Sequence, residues 1–213
     1  MLKKIYLSFL GRPISIFLNF LSFLHRPFMV YGLYNPVRKK WMKMSRISSS
    51  TKTLSKHKLD IADGVWVGHY CILDASNGLK IGKCVQTGSH ISIYTDSSHM
   101  SIRLIGDKYL EADERVGYLK GAVTIEDYAF IGDSVVIFPG VTIGKGAIIK
   151  AGSVVTRSIP NFAIAGGVPA RVAGNVFDLD KPFLEEFPSL KDDYFDYEAY
   201  CDFMGKQDLL NGK

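Results

Sequence analysis

Between residues 124 and 160 an aliphatic side chain returns at every sixth position: Ile125, Ile131, Ile137, Ile143, Ile149 and Val155. A helix repeats at 3.6 residues and a strand at two, so neither alone calls for a beat of six. Four residues after each comes a small or branched residue, in turn Ala129, Val135, Val141, Ala147, Ser153 and Ile159. Gly132, Gly144 and the Pro139-Gly140 pair fall between, where a chain turns sharply at low backbone cost. Self-similarity at a fixed period marks a solenoid, whose units bury their faces only against their neighbours. Six residues are too few for a helix but suit one short strand and a corner. Three such units close a triangular coil whose strands stack about 4.8 Å apart. The beat therefore predicts a prism lined inside by the aliphatic positions.

The same beat runs upstream through Ile61, Val67 and Leu73, then Ile81, Thr87 and Ile93. Leu73 to Ile81 is two residues too long, so "SNGL" is expected to bulge at a corner. From Ile93 to Ile125 the phase is lost, and residues 99–122 are polar and charged. They read as a loop thrust out of the coil.

These hexads, the loop preceded by "YTDSSH" and the ending "AIAGGVPARVAG" resemble the hexapeptide-repeat acyltransferases, in particular their sugar O-acetyltransferase branch. The resemblance covers about residues 60–174. It implies a mainly β fold, a left-handed parallel β-helix; the left hand comes from the resemblance and not from the spacing. On this reading residues 1–59 are a basic, helical N-terminal segment, 60–174 the coil with its loop 99–122, and 175–213 a short acidic extension.

Charge is sorted along the chain. Residues 1–60 hold 12 Lys/Arg against one acid, Asp60; residues 61–174 hold ten of each sign; the remainder has ten acids and four lysines. A neutral coil argues against nucleic acid, which calls for a basic stripe on the body itself. Cys71, Cys84 and Cys201 form no CxxC pair, which suggests a reducing compartment without disulfides or zinc.

Near the N-terminus "PISIFLNFLSFLHR" is bounded by Pro13, apt for a first helical turn, and by Pro27. Arg12, Ser15, Asn19, Ser22 and Arg26 share one narrow polar stripe, and the rest, Pro13 and His25 aside, is Ile, Leu or Phe. A helix of about 14 residues is roughly 21 Å long, short of a ~30 Å hydrocarbon core. Three readings stay open: a helix that caps the coil or packs between subunits, a re-entrant hairpin, and a helix lying in the plane of a membrane, assisted by "VRKKWMKMSR". The in-plane helix places the protein in the cytoplasm, peripheral at the inner face of the membrane, and suits an acceptor carried on a lipid.

Acyl transfer from a thioester to a hydroxyl needs a base for the hydroxyl proton, and imidazole suits that near neutrality. Of the five histidines, His99 takes the position of the family's catalytic base, at the root of the loop. Asp96, three residues before it, is a candidate to orient the ring. The resemblance further implies that the N–H of Asp133 in "FIGDSV" stabilises the oxyanion. It assigns Ala151, Thr156 and Arg157, with Arg171 of "GVPAR", to acetyl-CoA; where the family carries another arginine this chain has Gly174. Asp74 in "CILDAS" and Tyr94 fall at acceptor positions, and Arg103, Tyr109 and Tyr118 of the loop are further candidates. A zinc site is not expected, because no three histidines converge by spacing.

The expected protein is thus a homotrimeric, acetyl-CoA-dependent O-acetyltransferase that uses no metal. Its acceptor is a sugar hydroxyl of a surface polysaccharide, O-antigen or lipid-linked oligosaccharide precursor. An N-acetyltransferase for an amino-sugar nucleotide would share every coenzyme residue, and a non-catalytic β-helix scaffold would need neither His99 nor the Arg171 ending.

Overall fold

A computed structural model describes residues 11–24 and 26–210. Its body is a three-sided coil of parallel strands. The first side stacks Lys40–Ser48, Trp66–Val67, Gln86–Thr87, Phe130–Ile131, Ile148–Ile149 and Ala163–Gly167. On the second side lie Lys52–Leu54, Ile72–Asp74, Ser92–Ile93, Val136–Ile137 and Val154–Val155. The third carries Leu59–Ile61, Leu79–Ile81, Val123–Ile125 and Thr142–Ile143. The chain visits the three sides in turn, so each coil rests on the one before it.

The interior is the one the beat predicts. Ile61, Val67, Leu73, Ile81, Thr87 and Ile93 are buried, as are the six aliphatics from Ile125 to Val155, and so are the residues four later. Rungs such as Ile81↔Ile125↔Ile143 and Ile93↔Ile137↔Val155 stack like on like. Burying each such side chain contributes about 1.5–3 kcal/mol. The late coils repeat at eighteen residues, as in Ile131↔Ile149, but the early ones at twenty, as in Ile61↔Ile81.

The two extra residues fall at the corner between the second and third sides. Residues 55–58 and 75–78 bulge there, one above the other, with Ser55 Oγ 3.1 Å from Ser76 Oγ and Lys58 Nζ donating to Ser76 O at 2.6 Å. One coil later the long excursion leaves from this same corner. It departs after Ile93 and returns at Val123, closed by the antiparallel pairs Asp96↔Lys120 and Ser97↔Leu119. Inside it is a short helix, Ser101–Ile105.

The N-terminal segment is only in part the helix expected for residues 1–59. A helix forms over Gly11–Leu24; His25 and the side chains of Arg12, Ser15, Asn19 and Ser22 lie outside the described residues. Met29–Asn35 and Lys40–Ser48 instead form an antiparallel hairpin that prolongs the first side, and parallel pairing starts at Arg46↔Trp66, not near residue 60. The physical reason is that Thr53 replaces an aliphatic at a rung, and that Met42, Ser45 and Ser48 turn inward every third residue, which hides the strand period. Asn35 pins the hairpin to the coil: its Nδ2 donates to Ile61 O at 2.6 Å and to Asp60 Oδ1 at 2.8 Å, while its Oδ1 accepts from Val37 and Arg38 N–H.

The acidic extension folds over the far end of the coil. Helix Val176–Glu186, capped by Asn175 Oδ1 accepting from Phe177 N–H, and helix Tyr197–Leu210 bring Val176, Phe177, Leu184 and Tyr200 onto Ile164. Lys145 Nζ reaches Asp196 Oδ2 at 2.7 Å. Cys71, Cys84 and Cys201 are free thiols; burial pushes that of Cys71 up, which suits a small interior residue.

Candidate active site

The root of the excursion is held by a polar network on the bulged corner. Buried Asp74 accepts Thr95 N–H (3.0 Å) and Thr95 Oγ1–H (2.9 Å) on one oxygen and Ser76 N–H (2.8 Å) on the other. Asn77 adds three bonds: its N–H to Thr95 Oγ1, and its Nδ2 to Thr95 O (3.1 Å) and Asp96 Oδ2 (3.2 Å). Gly121 closes the loop where a side chain cannot fit, since an added Cβ would lie 2.6 Å from Gly140 N. Thr95 and Asn77 escape the sequence reading. The signal for them is the two-residue excess between Leu73 and Ile81, whose bulge carries Asn77 across to the next coil.

Asp74 is therefore part of the framework and not a free acceptor ligand. Burial alone would raise its carboxyl, but donors from Ser76 and Thr95 outweigh this and hold it below the usual carboxylate range. A carboxyl depressed in the folded state stabilises above its unfolded pKa and loses that increment as pH falls through the folded value. The wild type should thus weaken on acidification below about pH 4, and Asp74→Asn should lack that loss. At pH 7 the variant should be less stable by about 1.5–3 kcal/mol, the scale of hydrogen bonds to a charged group, as urea unfolding would read.

His99 is exposed, two residues before the helix Ser101–Ile105. Its Nδ1 lies 2.8 Å from Ser97 Oγ, and its carbonyl accepts from Arg103 Nη1. Ser97, and not Asp96, is the ring's partner; Asp96 is taken up by Asn77 and Tyr118. In the tautomer whose Nδ1–H donates to Ser97 Oγ, Nε2 carries the lone pair; Nε2 has no hydrogen-bond partner among the described residues.

Beside this root lies a hollow of about 370 Å³ lined by Tyr94, Asp96, Ser97, Ser98, Tyr118 and Phe138, among others. A more polar one of about 610 Å³ adjoins it, shares Asp96 and Tyr118, and adds Glu114, Arg115 and Lys120. Burial and the Asp96 carboxylate push the Tyr118 phenol up, so it is a neutral donor at neutral pH. Tyr109 is occupied by Arg115, whose guanidinium stacks 4.4 Å from its ring centre.

The remaining candidates fall on two ridges. Tyr94, Thr156 and Arg157 follow strands of the second side, at the corner with the third, from which the excursion that carries His99 departs. Thr156 and Arg157 are exposed, and Arg157 has no ion-pair partner among the described residues. Asp133, Ala151 and Arg171 follow strands of the first side, at its corner with the second. The two ridges are the opposite edges of the second side. Five or six residues at about 3.3 Å each put these two corners roughly 15–20 Å apart.

Asp133 is a corner staple as well. Its Oδ1 accepts Ser89 N–H of the coil below at 2.5 Å, over Gly88, where an added Cβ would lie 2.3 Å from that oxygen. Asp63, Asp127 and Asn161 do the same for Met44, Lys83 and Lys145 N–H. The side chain is thus turned away from solution chemistry, and only its N–H remains to be offered. Among the described residues no group of His, Cys, Asp and Glu could hold a metal ion.

The family described as "Bacterial transferase hexapeptide (six repeats)" matches residues 122–157. A stretch of 61 residues, 29% of the chain, is 49% identical to galactoside O-acetyltransferase of Escherichia coli, and 122 residues, 56% of the chain, are 34% identical to putative acetyltransferase YJL218W of Saccharomyces cerevisiae. A hexapeptide-repeat containing acetyltransferase of Vibrio cholerae, complexed with acetyl coenzyme A, superposes with a TM-score of 0.52 over 59% of the chain at 26% identity. The matched part spans 30% of the E. coli enzyme, 57% of the yeast protein and 64% of the Vibrio chain. Over residues 122–157 the repeat that builds the coil is similar to that of the hexapeptide-repeat transferases.

Proposed function

We propose that this protein is an acetyl-CoA-dependent O-acetyltransferase acting on a sugar hydroxyl of a surface polysaccharide, O-antigen or lipid-linked oligosaccharide precursor. The observation that carries the reading is His99: an exposed imidazole whose Nδ1 is on Ser97, next in the chain to Ser97 and Ser98, which line the smaller hollow at the root of the excursion. The sugar enzyme of E. coli and the acetyl-CoA complex of Vibrio support the class of both substrates. The coil takes the left hand of that family.

His99 Nε2 accepts the hydroxyl proton as the sugar oxygen attacks the thioester carbonyl. The negative charge that develops on the carbonyl oxygen is met by the N–H of Asp133. Collapse expels the coenzyme thiolate, to which the imidazolium returns the proton. Acetyl-CoA lies along the coil axis, with Arg157 and Arg171 on its phosphates, where a guanidinium fork matches the oxygens. Tyr94 and Tyr118 flank the acceptor. The two ridges can meet only if those of different copies face each other, which a closed trimer of prisms supplies.

Labelled acetyl-CoA, offered with a panel of glycans, lipid-linked sugars and amino-sugar nucleotides, tests this directly. Transfer to a hydroxyl by a species of trimeric mass in light scattering is expected. Label on an amine would turn the reading to an N-acetyltransferase, and no transfer together with no coenzyme binding would leave a scaffold.

A further inference from the structure

The two ends of the coil are finished differently. The far end carries its own plug, the aromatic cluster of Phe177, Tyr194 and Tyr200. At the near end an apolar hollow of about 490 Å³ opens between the hairpin and the first coil, lined by Val30, Leu33, Tyr34, Trp41, Ile47 and Leu59 among others. Around it the surface is apolar: Phe28 is 65% exposed, Tyr31 67%, Trp41 54% and Met44 70%. The helix Gly11–Leu24, four residues before the hairpin, adds exposed Ile16, Phe17 and Phe20.

Interleaved with these are exposed Lys39, Lys40, Lys43, Lys52, Lys56 and Lys58. From residue 26 to 59 there are nine Lys/Arg and no Asp or Glu, whereas the far-end extension is acidic. The coil is thus charged like a rod, positive at its open, greasy end. A second copy laid end to end, like on like, would bring positive charge against positive charge. Tryptophan and tyrosine with flanking lysines suit the boundary of an anionic bilayer, which accepts apolar side chains and cations together. No helix among the described residues is long and apolar enough to cross a membrane.

We propose that the near end docks on an anionic lipid bilayer and stands the coil upright on it. The hairpin Met29–Ser48 and the helix Gly11–Leu24 lie in the headgroup region. The excursion that carries His99 leaves from the third coil, two coils above the base, at a height on the order of 10 Å. If the proposed acyl transfer holds, on which this step rests, the site stands level with the first sugars of a glycan attached to a lipid.

The full chain with Trp66→Phe, which leaves Trp41 as its one tryptophan, is mixed with phosphatidylglycerol/phosphatidylcholine vesicles and with pure phosphatidylcholine. Cosedimentation with the anionic vesicles and a blue shift of Trp41 emission are expected, both stronger at low salt. Lys39→Glu with Lys40→Glu and Lys43→Glu should weaken binding at least tenfold at low salt. Phe17→Ser with Phe20→Ser should weaken it at every salt concentration, both variants keeping the wild-type melting temperature. No sedimentation with anionic vesicles at low salt, an unmoved Trp41 spectrum, or end-to-end polymers in place of vesicle binding would overturn the proposal. Vesicle binding without any acetyl transfer would sink the catalytic reading and leave the docking standing; transfer without vesicle binding would do the reverse.

Discussion

His99→Ala should lower kcat by roughly 10²–10⁴, the usual range for loss of a general base, with coenzyme affinity nearly unchanged. Coenzyme affinity should hold because Thr156, Arg157 and Arg171, to which the proposed function assigns the coenzyme, are untouched. The other two histidines of the coil serve as controls with visible structural duties. His69 Nδ1 lies 2.6 Å from Ser48 Oγ, and the His90 ring stacks on Tyr70 at 5.3 Å. Both lie at the corner of the first and second sides, below Asp133, and neither is given a part in the proposed transfer, so alanine there should leave turnover within a few-fold. Ser97→Ala should fall between, since the ring keeps its base and loses only its partner at Nδ1. Wild-type turnover in His99→Ala would move the base elsewhere. An equal loss in His90→Ala would mean that folding and not chemistry was being read.

The interior of the coil was legible because its signal is local and strict. Each rung is an aliphatic at a fixed step, and burial leaves no choice of residue type. The near end was not, because rungs there admit Thr53 and Ser45, and because a hairpin with a bulge between Tyr31 and Leu33 breaks the strand period. The same difficulty governs the site. His99 is a proposal that rests on the family resemblance, which matches its place before the excursion. The work of Asp74 depends on what lies one coil above it, twenty-one residues on, and a single sequence carries no sign of that contact beyond the excess length of the bulge.

Asp133 illustrates a further limit. An exposed Asp at a corner reads as a solvated charge, yet it ties two coils together through the Ser89 N–H. The pattern is visible only when four such residues, Asp63, Asp127, Asp133 and Asn161, are seen to do the same thing. The separation of the two ridges was equally hidden, since a position in a six-residue beat fixes the side of the prism but not what lies across from it.

Ile137→Asp should abolish folding. The side chain is fully buried, at mid-height on the second side, between the rungs Ile93 and Val155. No described cation or donor is free to meet a carboxylate there, and an unpaired buried charge costs several kcal/mol even after relaxation. That is comparable with the whole stability of an ordinary domain, about 5–15 kcal/mol. A solenoid makes matters worse, because each coil is supported only by its neighbours, and a break at the fourth coil detaches the aromatic plug from the base. Ile137→Val removes one methylene from the same place and should cost only about 0.5–1.5 kcal/mol. Far-UV circular dichroism and urea unfolding of the two variants separate the possibilities. A cooperative, wild-type-like transition in Ile137→Asp would mean that the residue points outward, and the rungs as described would have to be abandoned.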